Sequence, residues 1–184
     1  MSNPPAESAK LIRLALLDDR LRERGARVLH RMCHDHPQTV KRAAILDIIP
    51  QHHLLNNVTR QWGTFSWHWF FNIQPAPMPE KLMGADPDWF IEYKLAKTKQ
   101  GLEFFGKDAL AEYKRCFRNP ETIRAICEDY RACAGIDFEM DTKDFDAGKK
   151  INCPSLILWG ANGSVGRNSR PSAGEIWQKY ATDI

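Results

Sequence analysis

The 184-residue sequence predicts an α/β fold in which two short buried strands flank a mostly helical insertion. The first observation is the apolar run of residues 43–49, which is rich in isoleucine and stops at Pro50, as buried strands do. A similar run at residues 155–159 follows Pro154 and ends at Gly160. If these two strands pair, we expect them to pair with each other in parallel, because no other strand pattern separates them.

Helical periodicity accounts for most of the remaining chain. Apolar residues recur at helical intervals over residues 10–36, and Pro37 ends that pattern. In the insertion, Asp86 and Asn119 each precede a proline, which is typical of a helix N-cap and first turn. These helices follow an aromatic-rich segment at residues 57–72 and a proline-rich turn at residues 75–79. The helices predicted in the second half cover residues 87–98, 107–117, 120–134 and 173–181.

These patterns divide the chain into two predicted domains. Residues 1–50 and 136–184 are expected to form the α/β part, and residues 51–135 a helical cap. A sheet of only two strands is marginal in water. The expectation is therefore a truncated α/β core, which carries fewer strands than a complete sheet of this class.

Composition and charge exclude several classes of function. A net charge of +3, with positive and negative residues interleaved, gives no support to nucleic-acid binding. No apolar run approaches the roughly 20 residues that span a bilayer, and residues 1–10 lack the pattern of a secretion signal. We therefore expect a cytoplasmic protein without a membrane partner. The cysteines are odd in number and form no C-x-x-C pair, which predicts reduced thiols, no metal site and no cofactor. They are Cys33, Cys116, Cys127, Cys133 and Cys153.

Several ordered segments carry a family resemblance that covers the chain from about Arg24 to its C-terminus. Each segment alone is a weak signal, but their order and spacing together are specific. In this arrangement the sequence resembles the haloacetate (fluoroacetate) dehalogenases of the α/β-hydrolase family. The matching segments are Arg24-Gly25-Ala26-Arg27-Val28, Ile45-Leu46-Asp47-Ile48-Ile49-Pro50, His68-Trp69, residues 74–80, residues 84–88, residues 127–132 and Leu158-Trp159-Gly160.

The resemblance implies a hydrolytic cleavage of a carbon–halogen bond in a small haloacid. In that family an Asp on a tight turn displaces the halide, and a His supported by a second Asp activates the water that hydrolyses the resulting ester. Two arginines hold the substrate carboxylate, while a His, a Trp and a Tyr of the cap donate hydrogen bonds to the halide. Preorganised donors in a dry pocket are needed because fluoride is a poor leaving group.

The resemblance assigns roles to six residues, each of which also has a purely structural interpretation. Arg24 and Arg27 match the carboxylate-binding arginines, although two solvated helix arginines would give the same spacing. Asp47 follows a strand and matches the supporting acid, although an Asp that starts a loop is a common alternative. The halide-binding positions are matched by His68, Trp69 and Tyr130, which could equally be core aromatics.

The sequence departs from the family pattern at the nucleophile. Leu21 and Glu23 stand where the family has the glycine and the Asp of its nucleophile turn. Glu23 carries its carboxylate one methylene further out, and an error of about 1 Å can cost on the order of 100-fold in rate. Helical periodicity before it favours a solvated helix residue. The family's base His and its N-terminal strands are not recognised either, so we expect impaired or absent activity.

Three readings therefore stay open, and whether the chain is an enzyme is undecided. The first is a haloacetate dehalogenase-like hydrolase that binds a small haloacid. The second is a non-catalytic fragment of that family, acting as a binding or oligomerisation module such as a homodimer. The third is a mostly helical fold of its own.

Overall fold

The computed structural model describes residues 24–96, 101–169 and 171–184, apart from the side chain of residue 168. The chain divides into two compact units. The first contains the described residues of 24–62 and 138–184, and the second is built from residues 63–137. The predicted core and cap domains, with their limits at residues 50 and 136, remain a prediction.

The first unit contains a parallel two-stranded sheet. Strand β1 covers Ala43–Leu46 and strand β2 covers Ser155–Leu158, with Ala43 opposite Ser155 and Leu46 opposite Leu158. The predicted parallel pairing is therefore confirmed. Both strands are shorter than the apolar runs that predict them. β1 stops at Leu46 because Asp47 adopts a positive φ of 59°, which turns the backbone out of the extended conformation.

The sheet buries one face and exposes the other. On the buried face Ile45 is completely shielded from solvent, together with Trp177 and Ile176 from a C-terminal helix. The indole Nε1–H of Trp177 donates a hydrogen bond of 3.0 Å to the carbonyl oxygen of Ile48, so this large buried side chain has its polar atom satisfied. On the opposite face the Leu156 and Leu158 side chains remain 55% and 49% exposed.

Helices of the first unit surround the buried face. Helix α1 (Arg24–Asp35) packs against β1, in agreement with the second half of the predicted helix over residues 10–36, whose first half lies outside the described residues. The last helix ends at Trp177 rather than at residue 181. It ends early because the chain turns to form a β-bridge between Ile151 and Ala181. Its N-terminus is closed by a capping box between Ser172 and Glu175.

The second unit is helical. The helices predicted at residues 107–117 and 120–134 have those bounds in the structure. The helix predicted at residues 87–98 ends at Leu95, and residues 97–100 lie outside the described part. The predicted caps are present, because Asp86 accepts from the Trp89 N–H and Asn119 accepts from the Glu121 N–H, both at 3.0 Å. In chain order the helices after α1 are α2 (Gln51–Asn56), α3 (Arg60–Phe65), α4 (His68–Asn72), α5 (Met78–Ala85), α6 (Pro87–Leu95), α7 (Lys107–Phe117), α8 (Pro120–Ala134), α9 (Ile136–Asp146), α10 (Ser164–Asn168) and α11 (Ala173–Trp177).

The core of the second unit forms where α5, α7 and α8 meet. Met83, Phe117, Ile123 and Cys127 are buried there, and the Phe90 ring stacks on Phe117 with centroids 5.8 Å apart. Six of the described helices were not predicted from the sequence: α2, α3, α4, α5, α9 and α10. Helix α5 begins inside the predicted proline-rich turn, since prolines are tolerated in a first helical turn, where N–H groups have no intrahelical acceptor.

Two features of the described residues bear on function. Of the helices described, none combines the length and apolar character that crossing a membrane requires. Within the same residues, no group of three or more His, Cys, Asp or Glu side chains is arranged to hold a metal ion.

Candidate functional site

Asp47 occupies a strained position at the carboxyl end of β1. Its φ of 59° lies in the left-handed region, which Asp tolerates better than most residues. The backbone N–H of Asp47 donates to the carbonyl oxygen of Leu158 at 2.7 Å, which ties the end of β1 to the end of β2. The Gly160 N–H donates to Asp47 Oδ1 at 3.2 Å. The carboxylate is therefore held at the edge of the sheet where open α/β proteins place their ligands.

The two arginines of the predicted carboxylate site lie on the first turn of α1. Arg24 and Arg27 are three positions apart, so both can face the same side of the helix, and both are half-buried. Arg27 Nη1 donates a hydrogen bond of 2.8 Å to Gln51 Oε1, and Gln51 is buried at the start of α2. This contact fixes the guanidinium of Arg27.

Sequence reasoning did not identify Gln51 as part of the site. Its burial depends on Arg27, which lies on a different helix, so no local pattern predicts it. The only signal in the sequence is a polar residue directly after Pro50 at the end of an apolar strand.

His68, Trp69 and Tyr130 are brought together in the second unit. His68 and Trp69 open the short helix α4, and Tyr130 lies on α8, which packs against it. The Tyr130 ring meets both partners edge to face, with centroids 5.8 Å from His68 and 5.2 Å from Trp69. Tyr130 is buried and the other two side chains are half-buried. Three side chains that can each donate a hydrogen bond thus share one small region of the second unit.

An ion pair next to Tyr130 anchors this region. Arg131 Nη1 lies 2.7 Å from Glu80 Oε1 and also bonds Glu128, while its Nε and Nη2 donate to the carbonyl oxygen of Gln74 at 2.9 and 2.8 Å. The ion pair with Arg131 lowers the pKa of the Glu80 carboxyl, against the opposing effect of burial. Glu80 therefore stays ionised and holds α5 against α8.

A cavity of about 420 Å³ lies in the first unit, between α2–α3 and the segment that follows β2. Its volume is in the range of small-molecule pockets. The lining mixes apolar side chains with polar ones such as His53, Asn57, Gln61 and Arg167. Burial, with nearby Lys179 and His52, lowers the pKa of His53, so its imidazole is neutral at pH 7 and Arg167 supplies the positive charge. Sequence reasoning missed this cavity, because its lining comes from two segments far apart in the chain.

The other histidines of the first unit have structural surroundings. His30 is buried against Trp177, and its Nε2 is 3.3 Å from His34 Nε2. Burial, followed by the neighbouring His34, lowers the pKa of His30 to about 3. His52 Nδ1 is 2.8 Å from the Tyr180 hydroxyl, and the His52 ring stacks on Phe145. The predicted nucleophile position, Glu23, lies outside the described residues.

Comparisons with known proteins find that the chain is similar to several hydrolases. It is 44% identical over 142 residues to a fluoroacetate dehalogenase from Burkholderia sp, a match that covers 77% of this chain and 46% of the relative. A solved structure from Nostoc sp PCC 7120, described as an α/β hydrolase, is 44% identical with a TM-score of 0.79, over 89% of this chain and 55% of that one. A solved structure of a Pseudomonas aeruginosa protein described as an epoxide hydrolase is 36% identical with a TM-score of 0.80. This match covers 89% of this chain and 54% of that one.

These matches confirm the predicted resemblance and the predicted fold class. The chain spans about half the length of the relatives that it matches. No family model matches it.

Proposed function

Because this chain resembles the α/β hydrolases, and among them the haloacetate dehalogenases, we propose that it binds a small haloacid as a dehalogenase-like hydrolase with impaired turnover. The activity would be hydrolytic cleavage of the carbon–halogen bond of a haloacetate. The observation that carries the proposal is the cluster of His68, Trp69 and Tyr130, in which the centroids of the first two rings each lie within 6 Å of the Tyr130 ring.

The cluster has the chemistry that a departing halide needs. An imidazole, an indole and a phenol are all N–H or O–H donors on flat apolar bodies, so they can surround an anion and exclude water. Each donor that meets the developing negative charge lowers the barrier, and such contacts are worth more in a dry pocket than in water. The relative from Burkholderia, a fluoroacetate dehalogenase, is consistent with this assignment.

The resemblance assigns the carboxylate of the substrate to the arginines of α1. A guanidinium can bind a carboxylate through two parallel hydrogen bonds, which fixes both position and orientation. The hydrogen bond from Arg27 to the buried Gln51 restrains one guanidinium before any substrate binds. Preorganisation of this kind reduces the entropy that is lost on binding.

The proposed reaction has two steps. A carboxylate oxygen attacks the carbon that bears the halogen, the carbon–halogen bond breaks, and the halide leaves with the electron pair. Water then hydrolyses the ester, which regenerates the carboxylate and releases a hydroxy acid. Asp47, held by the Gly160 N–H, is proposed to match the acid that orients the base in the family, although the resemblance assigns that base to no histidine of this sequence.

Turnover is proposed to be impaired because Glu23 occupies the nucleophile position of the family pattern. The extra methylene displaces its oxygens by about 1 Å, which is enough to lower the rate on the order of 100-fold. The six histidines of the sequence are His30, His34, His36, His52, His53 and His68, and the resemblance assigns none of them to the base.

Calorimetric titration with chloroacetate tests binding separately from turnover. We expect binding to the wild-type chain and a loss of about tenfold in affinity for Tyr130→Phe, which removes one hydroxyl donor. Arg27→Ala should weaken binding more strongly, since it removes a charged partner. Arg124→Ala is the matched control, because this exposed arginine of α8 pairs with Glu121 on the helix surface. Equal affinity in all four proteins would contradict the proposed site.

Fluoroacetate tests the role of position 23, since it does not alkylate thiols. We expect background fluoride release from the wild-type chain and from Glu23→Ala. Glu23→Asp should release fluoride and acquire a carboxymethyl ester at that position, detected by peptide mass spectrometry. If Glu23→Asp matches Glu23→Ala in both measurements, the nucleophile assignment is wrong.

Self-association is a second candidate function, favoured by the exposed face of the sheet. Leu156 and Leu158 lie two residues apart on β2 and expose about half of their side chains, an apolar surface of the kind found at interfaces. Light scattering after size-exclusion chromatography should give a dimer for the wild type and a monomer for Leu156→Lys. Leu82→Lys on α5, where the leucine is also exposed, should leave the mass unchanged. A wild-type monomer would exclude this role.

A further inference from the structure

Two cysteines of the first unit meet in one small cavity. Cys33 lies near the end of α1, and Cys153 lies two residues before β2. Both line a cavity of about 120 Å³, together with Pro37, Val40 and Asn152. Because both line the same small cavity, the two side chains are neighbours although they are far apart in the sequence.

The two thiols differ in accessibility. Cys33 is buried, whereas Cys153 is half-buried and can be reached from the cavity. Burial, with a further contribution from Cys153, raises the pKa of the Cys33 thiol to about 12. Cys33 therefore keeps its proton at neutral pH, and Cys153 is the thiol that meets a dissolved reagent first.

The remaining cysteines have different surroundings. Cys116 on α7 has its sulfur 3.3 Å from Glu112 Oε1, and Cys127 lies beside Glu80 in the core of the second unit. Cys133 is buried on the same helix as Cys127. The cavity shared by Cys33 and Cys153 therefore brings together two thiols that a single oxidation event can join.

We propose that Cys33 and Cys153 form a reversible disulfide when the protein meets a hydroperoxide, which makes the pair a redox-sensitive modification site. This site is independent of the haloacid-binding function proposed above. Transient, sensing disulfides are the kind that occurs in proteins of reducing compartments.

The chemistry balances with hydrogen peroxide as the oxidant. The Cys153 sulfur attacks one peroxide oxygen, the O–O bond breaks, and the thiol proton leaves with the departing hydroxide as water, which gives a sulfenic acid. The Cys33 sulfur then attacks the Cys153 sulfur, the S–O bond breaks and the S–S bond forms. The hydroxide of the sulfenic acid leaves as a second water with the proton of Cys33. Each disulfide thus consumes one peroxide and yields two waters.

The bond would change the stability of the first unit. It would connect α1, which carries Arg24 and Arg27, to the segment that leads into β2. A cross-link between distant positions restricts the unfolded chain, so we expect the melting temperature to rise on the order of 10 °C on oxidation. A thiol reductant should reverse that rise.

Peptide mapping under non-reducing conditions tests the proposal directly on the wild-type chain. After treatment with hydrogen peroxide, we expect a cross-linked peptide pair that contains Cys33 and Cys153 and lacks two hydrogen atoms. It should disappear with dithiothreitol. If Cys153 is oxidised while Cys33 stays a free thiol, or if the cross-link joins two chains, the proposal is overturned.

Three variants sharpen the test. Cys33→Ala should stop oxidation at the Cys153 sulfenic acid, which dimedone captures. Cys153→Ala should protect Cys33 from peroxide, because the buried thiol is not reached. Cys116→Ala, which removes a partly exposed thiol of another helix, should leave the cross-link at its wild-type yield. A cross-link that persists in Cys33→Ala would show that another thiol is the partner.

Discussion

The backbone at Asp47 allows a quantitative prediction about stability. Its φ of 59° is costly for residues with a branched Cβ, by roughly 1–2 kcal/mol. Its Oδ1 also accepts a hydrogen bond from the Gly160 N–H, worth about 1 kcal/mol. Asp47→Val adds this backbone strain and removes this hydrogen bond, so we expect the free energy of unfolding to fall by about 2–3 kcal/mol. Asp47→Asn keeps an acceptor and tolerates this conformation, so its change should stay within about 0.5 kcal/mol.

Urea unfolding followed by tryptophan fluorescence measures these differences. Asp47→Gly provides a third point, because relief of backbone strain by about 1 kcal/mol should offset the lost hydrogen bond. A valine variant as stable as the wild type would refute the strain argument. If Asp47→Asn lowers the free energy of unfolding as much as Asp47→Val does, the negative charge of Asp47 is the source of the stability instead.

Two further predictions concern the cores of the two units. Burial lowers the pKa of the folded His30 imidazole to about 3, whereas the unfolded imidazole titrates near 6.5. Acid therefore protonates the unfolded chain first, and the free energy of unfolding falls as the pH drops from 6.5 towards 3. His30→Gln should flatten this loss, measured as the free energy of unfolding at pH 7 and pH 4; an equally steep loss in the variant would contradict it. Met83→Ala removes a side chain that is 1% exposed and should cost about 2–5 kcal/mol, whereas Leu82→Ala, with 56% exposed, should cost less than about 0.5 kcal/mol in the same urea assay. Similar costs for both would refute the packing of α5.

The parts of the fold that the sequence predicted have strong local signals. Helices α7 and α8 match their predicted bounds, since each has a regular apolar stripe and α8 begins with a capping Asn119 before proline. The parallel pairing of β1 and β2 followed from their apolar runs. Both strand ends were predicted too far along, because an apolar run does not reveal that Asp47 turns the backbone.

Helix α9 was missed because long-range ion pairs determine which of its faces is buried. Asp144 is buried on this helix, where Arg31 of α1 and Lys149 both bond its carboxylate. Burial alone would raise the pKa of Asp144, but these two partners outweigh it and lower the pKa to about 2. A pattern of apolar residues cannot reveal a buried face that contains a paired charge.

The candidate site was predicted unevenly for a similar reason. The resemblance singled out His68, Trp69 and Tyr130, and the structure brings their rings into contact. It gave no indication of Gln51 or of the cavity near Arg167, since both depend on contacts between segments distant in sequence.

The pairing of β1 with β2 has a consequence for biosynthesis. During translation β1 leaves the ribosome long before β2, and the whole helical unit of residues 63–137 is made in between. That unit is one continuous segment of the chain, so it can mature while the nascent chain is still growing, whereas β1 must wait for β2. Chaperones that shield unpaired strands should therefore matter most for this protein during the interval before β2 emerges.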